Sequence, residues 1–368
     1  MKGLRKYISP FTPDQSGAVS VLFGYGGMLI IMDAGGCVGN ICGFDEPRWF
    51  DHKSAIFSAG LRDLDAILGR DDLLIRKTGD ALEDIDAKFV GLIGTPVPSV
   101  IATDYRALKR LMEKDFGIPV IPVETNGMDL YDKGQEMAYM QLFGEFMGKG
   151  EPIDFGTLAE VGIIGATPLD TVTKDSAEHI KKLLSGYRSA VCYGVCDSIE
   201  DVKNADRVRK NLVVSPSGLR AAREMKDAFG IPYEAGYPIA REYSEEFCGR
   251  IHEEKPCRVL VIHQQVFANE IRRLVESVHG VRKVDVATWF MLDDEIARKD
   301  DRTLREEDEL LELVQSGEYD TVIGDPLFRR ALPGWEGRYL SLPHFAVSGS
   351  LHESPDEDAY WRKAGERI

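Results

Sequence analysis

Leu108-Lys-Arg-Leu-Met112-Glu-Lys-Asp-Phe116-Gly-Ile-Pro119 is answered later in the chain by Ala222-Arg-Glu-Met225-Lys-Asp-Ala-Phe229-Gly-Ile-Pro232. In both passages apolar residues recur at helical spacing. A Gly then stands where a left-handed residue ends a helix, and a Pro blocks any continuation. Just upstream of each copy, Lys88-Phe-Val-Gly-Leu-Ile-Gly94 and Asn211-Leu-Val-Val214 read as buried strands that run into a Pro/Ser loop. The unit is strand, loop, helix, strand, and it is used twice. A third unit opens at Cys257-Arg-Val-Leu-Val-Ile-His263 and is echoed by Tyr319-Asp-Thr-Val-Ile-Gly324, with a helix around Glu270 to Ser277 between them. A chain of 368 residues exceeds what one core usually serves. The expected fold class is α/β, with three Rossmann-like domains of mostly parallel sheet at 1–150, 151–250 and 251–368.

Parallel sheets collect ligands at the carboxyl ends of their strands. The loops there contain Thr95-Pro-Val-Pro-Ser99, Gly165-Ala-Thr-Pro168, Cys192-Tyr-Gly-Val-Cys196, Ser215-Pro-Ser-Gly218, His263-Gln-Gln265 and Gly324-Asp-Pro326. The balance of 45 basic against 61 acidic residues, net −16, disfavours a nucleic-acid or anionic-membrane surface. The longest apolar stretch, Ala18 to Met32, is interrupted by Ser20, Gly24, Gly26 and Gly27 and is too short to span a bilayer. No signal-like apolar run follows the basic start, so a soluble cytoplasmic protein is expected. Six cysteines scattered through a large α/β chain argue for thiols or metal ligands over a disulfide framework. The acidic stretch 298–312 reads as a solvated helix with no function assigned.

The densest local signal is Ile30-Ile-Met-Asp33-Ala-Gly35-Gly36-Cys37-Val-Gly39-Asn-Ile-Cys42-Gly43-Phe-Asp45-Glu-Pro-Arg-Trp49-Phe50. A strand ends at Asp33, and glycines then leave backbone amides unobstructed around Cys37. An iron–sulfur cluster is bulky and its sulfides accept N–H hydrogen bonds, so such a bed suits one. The rival readings are a nucleotide site, which lacks the Gly-Lys-Ser/Thr of a P-loop and the spacing of a dinucleotide fingerprint, and a buried thiol in a tight turn.

These residues resemble component 1 of nitrogenase and its relatives, which include the reductases of protochlorophyllide and of the nickel tetrapyrrole of methanogenesis. In that family a Gly/Ala-rich helix precedes a strand and then His-Gly-Pro-x-Gly-Cys, whose Cys ligates a cluster at a subunit interface. Here Ser16-Gly-Ala-Val-Ser20 leads to Asp33-Ala-Gly-Gly36-Cys37 in the same position. Phe57-Ser-Ala-Gly60 is similar to the family's Gly-Gly-x-x-x-Leu segment. The stretch from Gly94-Thr-Pro-Val-Pro98 to Thr103-Asp104 stands in the place of its Cys-Pro-x-x-x-x-Gly-Asp-Asp loop, and the passage from Phe116 to Gly127 follows in order. Two departures limit the analogy. No Cys precedes Cys37 and Val97 stands where a third cluster Cys would be, which argues against a nitrogenase-type eight-iron cluster. Ser215 replaces the Cys of the catalytic cofactor, which argues against iron–molybdenum cofactor and dinitrogen reduction.

The resemblance then implies a reductase's catalytic component. Cys37 and Cys42 from two copies would supply four thiolates to one shared [4Fe–4S] cluster, in a bed formed by Gly36 and Asp33. Asp33 or Asp45 could replace a thiolate, and Cys42 could equally be a buried neighbour. Electrons would come from a nitrogenase reductase-like iron–sulfur ATPase, with no nucleotide on this chain. The partner subunit would be an identical or a related chain, and a small-molecule substrate would lie in the interdomain cleft. Cys196 and His344, the latter as proton donor, are the candidate catalytic residues. Cys192 is expected to point into a sheet, and Cys248 and Cys257 to pack. His263 with Gln264-Gln265 either faces the cleft or caps a helix. The segment holding Asp45, Glu46, Arg48 and Trp49 either flanks the cluster, docks the reductase or forms a salt-bridged turn. Two other readings stand beside the reductase: a scaffold that carries a cluster during assembly, and a metal-free small-molecule binder on the same fold.

Overall fold

A computed structural model describes residues 5–51, 54–150, 159–187, 189–195 and 198–368. Three sheets, parallel throughout, carry the chain. The first contains β1 (Met28–Ile31), β2 (Ala55–Ser58), β3 (Val90–Ile93) and β4 (Val120–Val123) in the order β2-β1-β3-β4. The second repeats that order with β5 (Val161–Ile164), β6 (Ala190–Tyr193), β7 (Lys210–Val213) and β8 (Tyr233–Ala235), as β6-β5-β7-β8. The third runs β11-β10-β9-β12-β13, from β9 (Arg258–Ile262), β10 (Lys283–Thr288), β11 (Arg302–Thr303), β12 (Thr321–Gly324) and β13 (Arg338–Ser341). In each sheet the order reverses between the first strand and a neighbour on its other side, which opens a crevice at that switch point.

The repeated passages form the expected helices. Tyr105–Phe116 joins β3 to β4 and Leu219–Phe229 joins β7 to β8. Gly117 and Gly230 end them at φ +71° and +73°, donating back to the carbonyls of Glu113 (3.0 Å) and Lys226 (2.9 Å). Leu108 and Met112 on the first, and Ala222 and Met225 on the second, are buried against their sheets. The repeat is one device for covering two sheets of equal topology.

Helix Tyr131–Phe146 crosses helix Asp14–Leu22 at backbone contact. A Cβ on Gly134 would lie 1.7 Å from the Asp14 carbonyl oxygen, and one on Gly17 would lie 1.9 Å from that of Tyr131. No larger residue fits at either position. From there the Tyr131–Phe146 helix reaches the middle sheet, where Tyr139 and Phe143 share a core with Tyr193, Val213 and Met225. A second core joins the middle and third units through Ile163, Leu212, Val259, Phe267 and Trp361. The three sheets therefore pack as one body.

The stretch 298–312 departs from the single solvated helix expected of it. The helix starts only at Glu307, and the residues before it are placed by their carboxylates. Asp301 pairs with Arg272 at 2.6 Å in full burial, and the buried Glu307 carboxylate accepts the backbone N–H of Lys6 (2.7 Å), Tyr7 (3.1 Å) and Ile8 (2.8 Å). Charge density alone does not separate a solvated face from carboxylates recruited to hold backbone amides.

Candidate functional site

β1 delivers the chain to Asp33, which is buried. Its carboxylate accepts the Ser58 hydroxyl (2.5 Å) from the neighbouring β2 and the Val38 backbone N–H (2.9 Å). It thereby fixes the start of the short helix Gly36–Asn40. Gly35 permits the turn with φ +115°. A single π turn, Ile41–Asp45, follows and carries Cys42. Cys37 and Cys42 are half-buried. Around them the space is open: a Cβ added to Gly35, Gly36, Gly39 or Gly43 would meet nothing within 4 Å.

The far side of this segment is rigid. Glu46 and Arg48 form a buried two-point ion pair, 2.7 Å at each contact, and Arg48 also donates to the Ser20 carbonyl (2.7 Å) and lies over the Phe23 ring. The salt-bridged-turn reading holds for these two residues, while Trp49 is half-buried beside them. Asp45 accepts the Ser16 hydroxyl (2.6 Å) and the Asn40 amide (2.5 Å), and burial raises its pKa to about 6.

A helix start ordinarily lowers a thiol's pKa. At Cys37 burial and the nearby Asp33 and Asp14 carboxylates outweigh that and raise it, and at Cys42 burial and Glu46 do the same. Both thiols keep their protons at neutral pH unless a metal displaces them. Among the described residues no group of three or more His, Cys, Asp or Glu side chains is gathered closely enough to hold a metal ion. Asp33 and Asp45 already spend oxygens on the loop itself. One chain therefore presents two half-buried thiols, Cys37 and Cys42, on consecutive turns of one segment.

The carboxyl ends of the other two sheets meet differently. Tyr131 donates its hydroxyl to Asp170 Oδ1 (2.8 Å), as does Ser215 (2.9 Å), and His344 Nε2 lies 3.2 Å from the Tyr131 oxygen. The His263 ring stacks on His344 with centroids 4.1 Å apart, and Asp325 accepts the His344 backbone N–H at 2.8 Å. All six residues are buried. Burial raises Asp170 to about 7 and Asp325 to about 6, and it depresses His344 to about 3 and His263 well below its ordinary value. His344 is thus a neutral ring held inside a network near pH 7. Gln264 takes the capping role, accepting the Val266 backbone N–H (2.8 Å) and donating to the Val214 carbonyl (2.9 Å).

Cys192 lies buried on β6, as expected, and Cys196 falls outside the described residues. The Cys248 thiol faces the Leu274 carbonyl at 3.6 Å, and Cys257 is half-buried beside β9. Asp33, Gly36 and Cys37 share the turn at the end of β1, Cys42 follows on the next turn of the same segment, and His344 lies in the separate buried junction. Sequence reading missed Tyr131 and Asp170. Asp170 sits two residues beyond the flagged Gly165-Ala-Thr-Pro168 loop, so a wider window on that strand end finds it. Tyr131 enters from a helix of another unit and carries no local signal.

The fold is that of an α/β protein of the component 1 class. Residues 14–284 match the family Nitrogenase component 1 type Oxidoreductase, and the chain belongs to that family. Curated relatives include the nitrogenase iron-molybdenum cofactor biosynthesis protein NifE of Bradyrhizobium diazoefficiens, 25% identical over 184 residues, covering 49% of this chain and 33% of the relative. NifE of Rhizobium meliloti is 26% identical over 186 residues, covering 49% and 38%. The match thus spans little more than a third of these relatives' own length. Among solved structures, "Nitrogenase Cp1 at pH 6.5" superposes with TM-score 0.70 at 10% identity, over 99% of this chain and 91% of that one. "Nitrogenase Cp1 at pH 5" gives 0.60 at 18% identity, over 86% and 72%. The parallel three-sheet fold is that of component 1. No helix among the described residues is long and apolar enough to cross a membrane.

Proposed function

We propose that this chain is the catalytic component of an ATP-dependent reductase. The observation that carries the reading is the open glycine bed around two half-buried thiols at the carboxyl end of β1, in a member of an oxidoreductase family. Cys37 and Cys42 of two copies, or of this chain and a related one, would hold one [4Fe–4S] cluster, which would relay single electrons from a separate iron–sulfur ATPase to a small-molecule substrate. Asp33 sets the helix start that presents Cys37, and the Glu46–Arg48 pair holds the turn that presents Cys42. Loading such a cluster releases the two thiol protons that burial and the carboxylates now retain.

A scaffold that carries a cluster during cofactor assembly is the second reading. It is favoured by the relatives themselves, which are named as cofactor biosynthesis proteins.

Iron and acid-labile sulfide are the measurement, made on anaerobically purified wild type, Cys37→Ala and Cys42→Ala, with EPR after dithionite reduction. About four irons per dimer, lost in both variants, supports a shared cluster. Oxidation of the reduced cluster by an added substrate, with turnover when the ATPase is supplied, supports the reductase. Transfer of the cluster intact to an acceptor protein without turnover supports the scaffold. Wild type that stays iron-free after anaerobic reconstitution overturns both.

A further inference from the structure

Helix Asp71–Leu82 leads toward β3 and helix Tyr105–Phe116 joins β3 to β4, and the two pack side by side on the first sheet, burying Leu74, Leu108 and Met112. On their outer side lies a trough of ≈ 860 Å³. Its floor is apolar. Ile75 and Leu82 come from the first helix and Leu111 and Phe116 from the second. Gly79 keeps the helices close, since a Cβ there would stand 3.3 Å from the Phe116 ring. The rim is acidic: Asp71, Asp72, Asp80, Glu83 and Asp115 line it against one cation, Arg76. Asp72 is engaged by Arg70 at 3.1 Å. The carboxylates of Asp80, Glu83 and Asp115 have no hydrogen-bond or ion-pair partner among the described residues. At Asp71, burial and the nearby Asp104 and Asp72 carboxylates raise the pKa.

The internal repeat shows that the fold does not demand this apolar floor. Leu111 stands one residue before Met112; at the matching place before Met225 the second copy has Glu224, which is exposed. Helix Leu219–Phe229 thus covers its sheet with a charge at that position, whereas helix Tyr105–Phe116 keeps a leucine that is 47% exposed. An apolar strip that the packing does not need, set between carboxylates that the chain leaves largely unneutralised, is complementary to an occupant of the opposite pattern: apolar along one stripe and cationic on both sides of it.

We infer that this trough docks a partner protein through a Lys/Arg-rich amphipathic helix. The apolar stripe of that helix lies on Ile75, Leu82, Leu111 and Phe116, and its cations reach Asp71, Asp80, Glu83 and Asp115. Each wall is a helix of 12 residues, about 18 Å long at 1.5 Å per residue, which accommodates some three turns of a docked helix. The trough shares no lining residue with the cysteine segment or with the buried junction around His344. The inference goes beyond the reductase reading and needs no cluster, so the two can fail separately.

The test is fluorescence anisotropy of the full chain with a labelled peptide of about 14 residues made of Leu, Ala and Lys, with Leu at helical spacing on one face and Lys on the other. A scrambled peptide of the same composition is the control, and iron content and oligomeric state are measured on the same samples. The expected result is one peptide per chain, with affinity that falls as salt is added. Leu111→Glu should weaken binding about tenfold or more; it places at this exposed position the residue type that the second copy of the repeat already carries, so the fold is kept. Asp80→Asn combined with Asp115→Asn should weaken binding and flatten its salt dependence. Leu351→Asp, exposed on the third unit and outside the trough, should leave affinity unchanged. Equal binding of the scrambled peptide overturns the inference, because charge alone then accounts for the attraction. Unaltered affinity in Leu111→Glu overturns it too. So does self-association of the wild type that excludes the peptide and is lost in Leu111→Glu, since a second copy then fills the trough. Peptide binding by iron-free protein upholds the docking site and leaves the cluster reading to stand or fall by itself.

Discussion

The carboxyl end of the first sheet and the junction where the other two sheets meet occupy equivalent places in the topology, yet they are finished in opposite ways. At the first, glycines hold the backbone open around two half-buried thiols. At the second, Tyr131, Asp170, Ser215, His263, Asp325 and His344 fill the crevice with a buried polar network. Strand order marks where a ligand can sit, but the side chains decide whether there is room. In this chain the room is beside Cys37, and the junction serves as a clamp between units.

Removing Cys37 is the sharpest way to separate the two regions. Cys37→Ala should abolish iron retention while changing the stability of the metal-free protein by no more than about 0.5 kcal/mol, as for other partly exposed positions. Cys192→Ala, buried on β6, should keep its iron. Iron analysis with denaturant unfolding checks both, and equal iron in the two variants would erase the distinction between the two regions. Next in size is the clamp. Tyr131→Ala deletes a fully buried ring and strips Asp170 and His344 of a partner, which should cost about 3–5 kcal/mol in denaturant unfolding. A loss below about 1 kcal/mol, within the range of surface substitutions, would mean that the junction is loosely held.

The clamp should also show itself in pH dependence. Burial raises Asp170 from 3.8 to about 7, so the folded state holds its proton across that window. The associated stability is complete below pH 3.8 and is lost as pH rises through about 7. Asp170→Asn cannot ionise and should gain stability relative to wild type as pH is raised from about 5 to about 8, measured as the difference in Tm at each pH. A constant difference would mean that Asp170 is ionised throughout. His344 works in the other direction: its depressed value means that stability is present above its unfolded pKa of 6.5 and falls as pH drops toward 3. The smallest effect belongs to the open bed. Gly35→Ala, at φ +115°, should cost about 1 kcal/mol from backbone strain alone, because its Cβ meets no neighbour. Gly36→Ala, with equal space and no positive φ, should cost less, and the gap between the two variants measures the turn itself.

How far the sequence could be read follows the range of the forces involved. The twice-written helix with its terminal Gly-Ile-Pro was legible because helix stops are local: Gly117 and Gly230 cap their own chains. The glycine bed was legible for the same reason, since Asp33, Cys37 and Cys42 lie within one short segment. The acidic stretch 298–312 misled because the partners of Asp301 and Glu307 are Arg272 and the backbone of residues 6–8, which no window around it contains. At His344 burial depresses the pKa to about 3, and depth of burial is a property that sequence spacing does not carry.

The sequence by itself determined the parallel α/β class, the units of strand and helix, and the segment that holds the thiols, because periodicity, caps and turn chemistry act over a few residues. Only the tertiary structure decided which strand ends stay open and which are sealed. That choice depends on a tyrosine from one unit meeting an aspartate of the next and a histidine of the third, with two glycines, Gly17 and Gly134, allowing the helix that carries the tyrosine to come close enough.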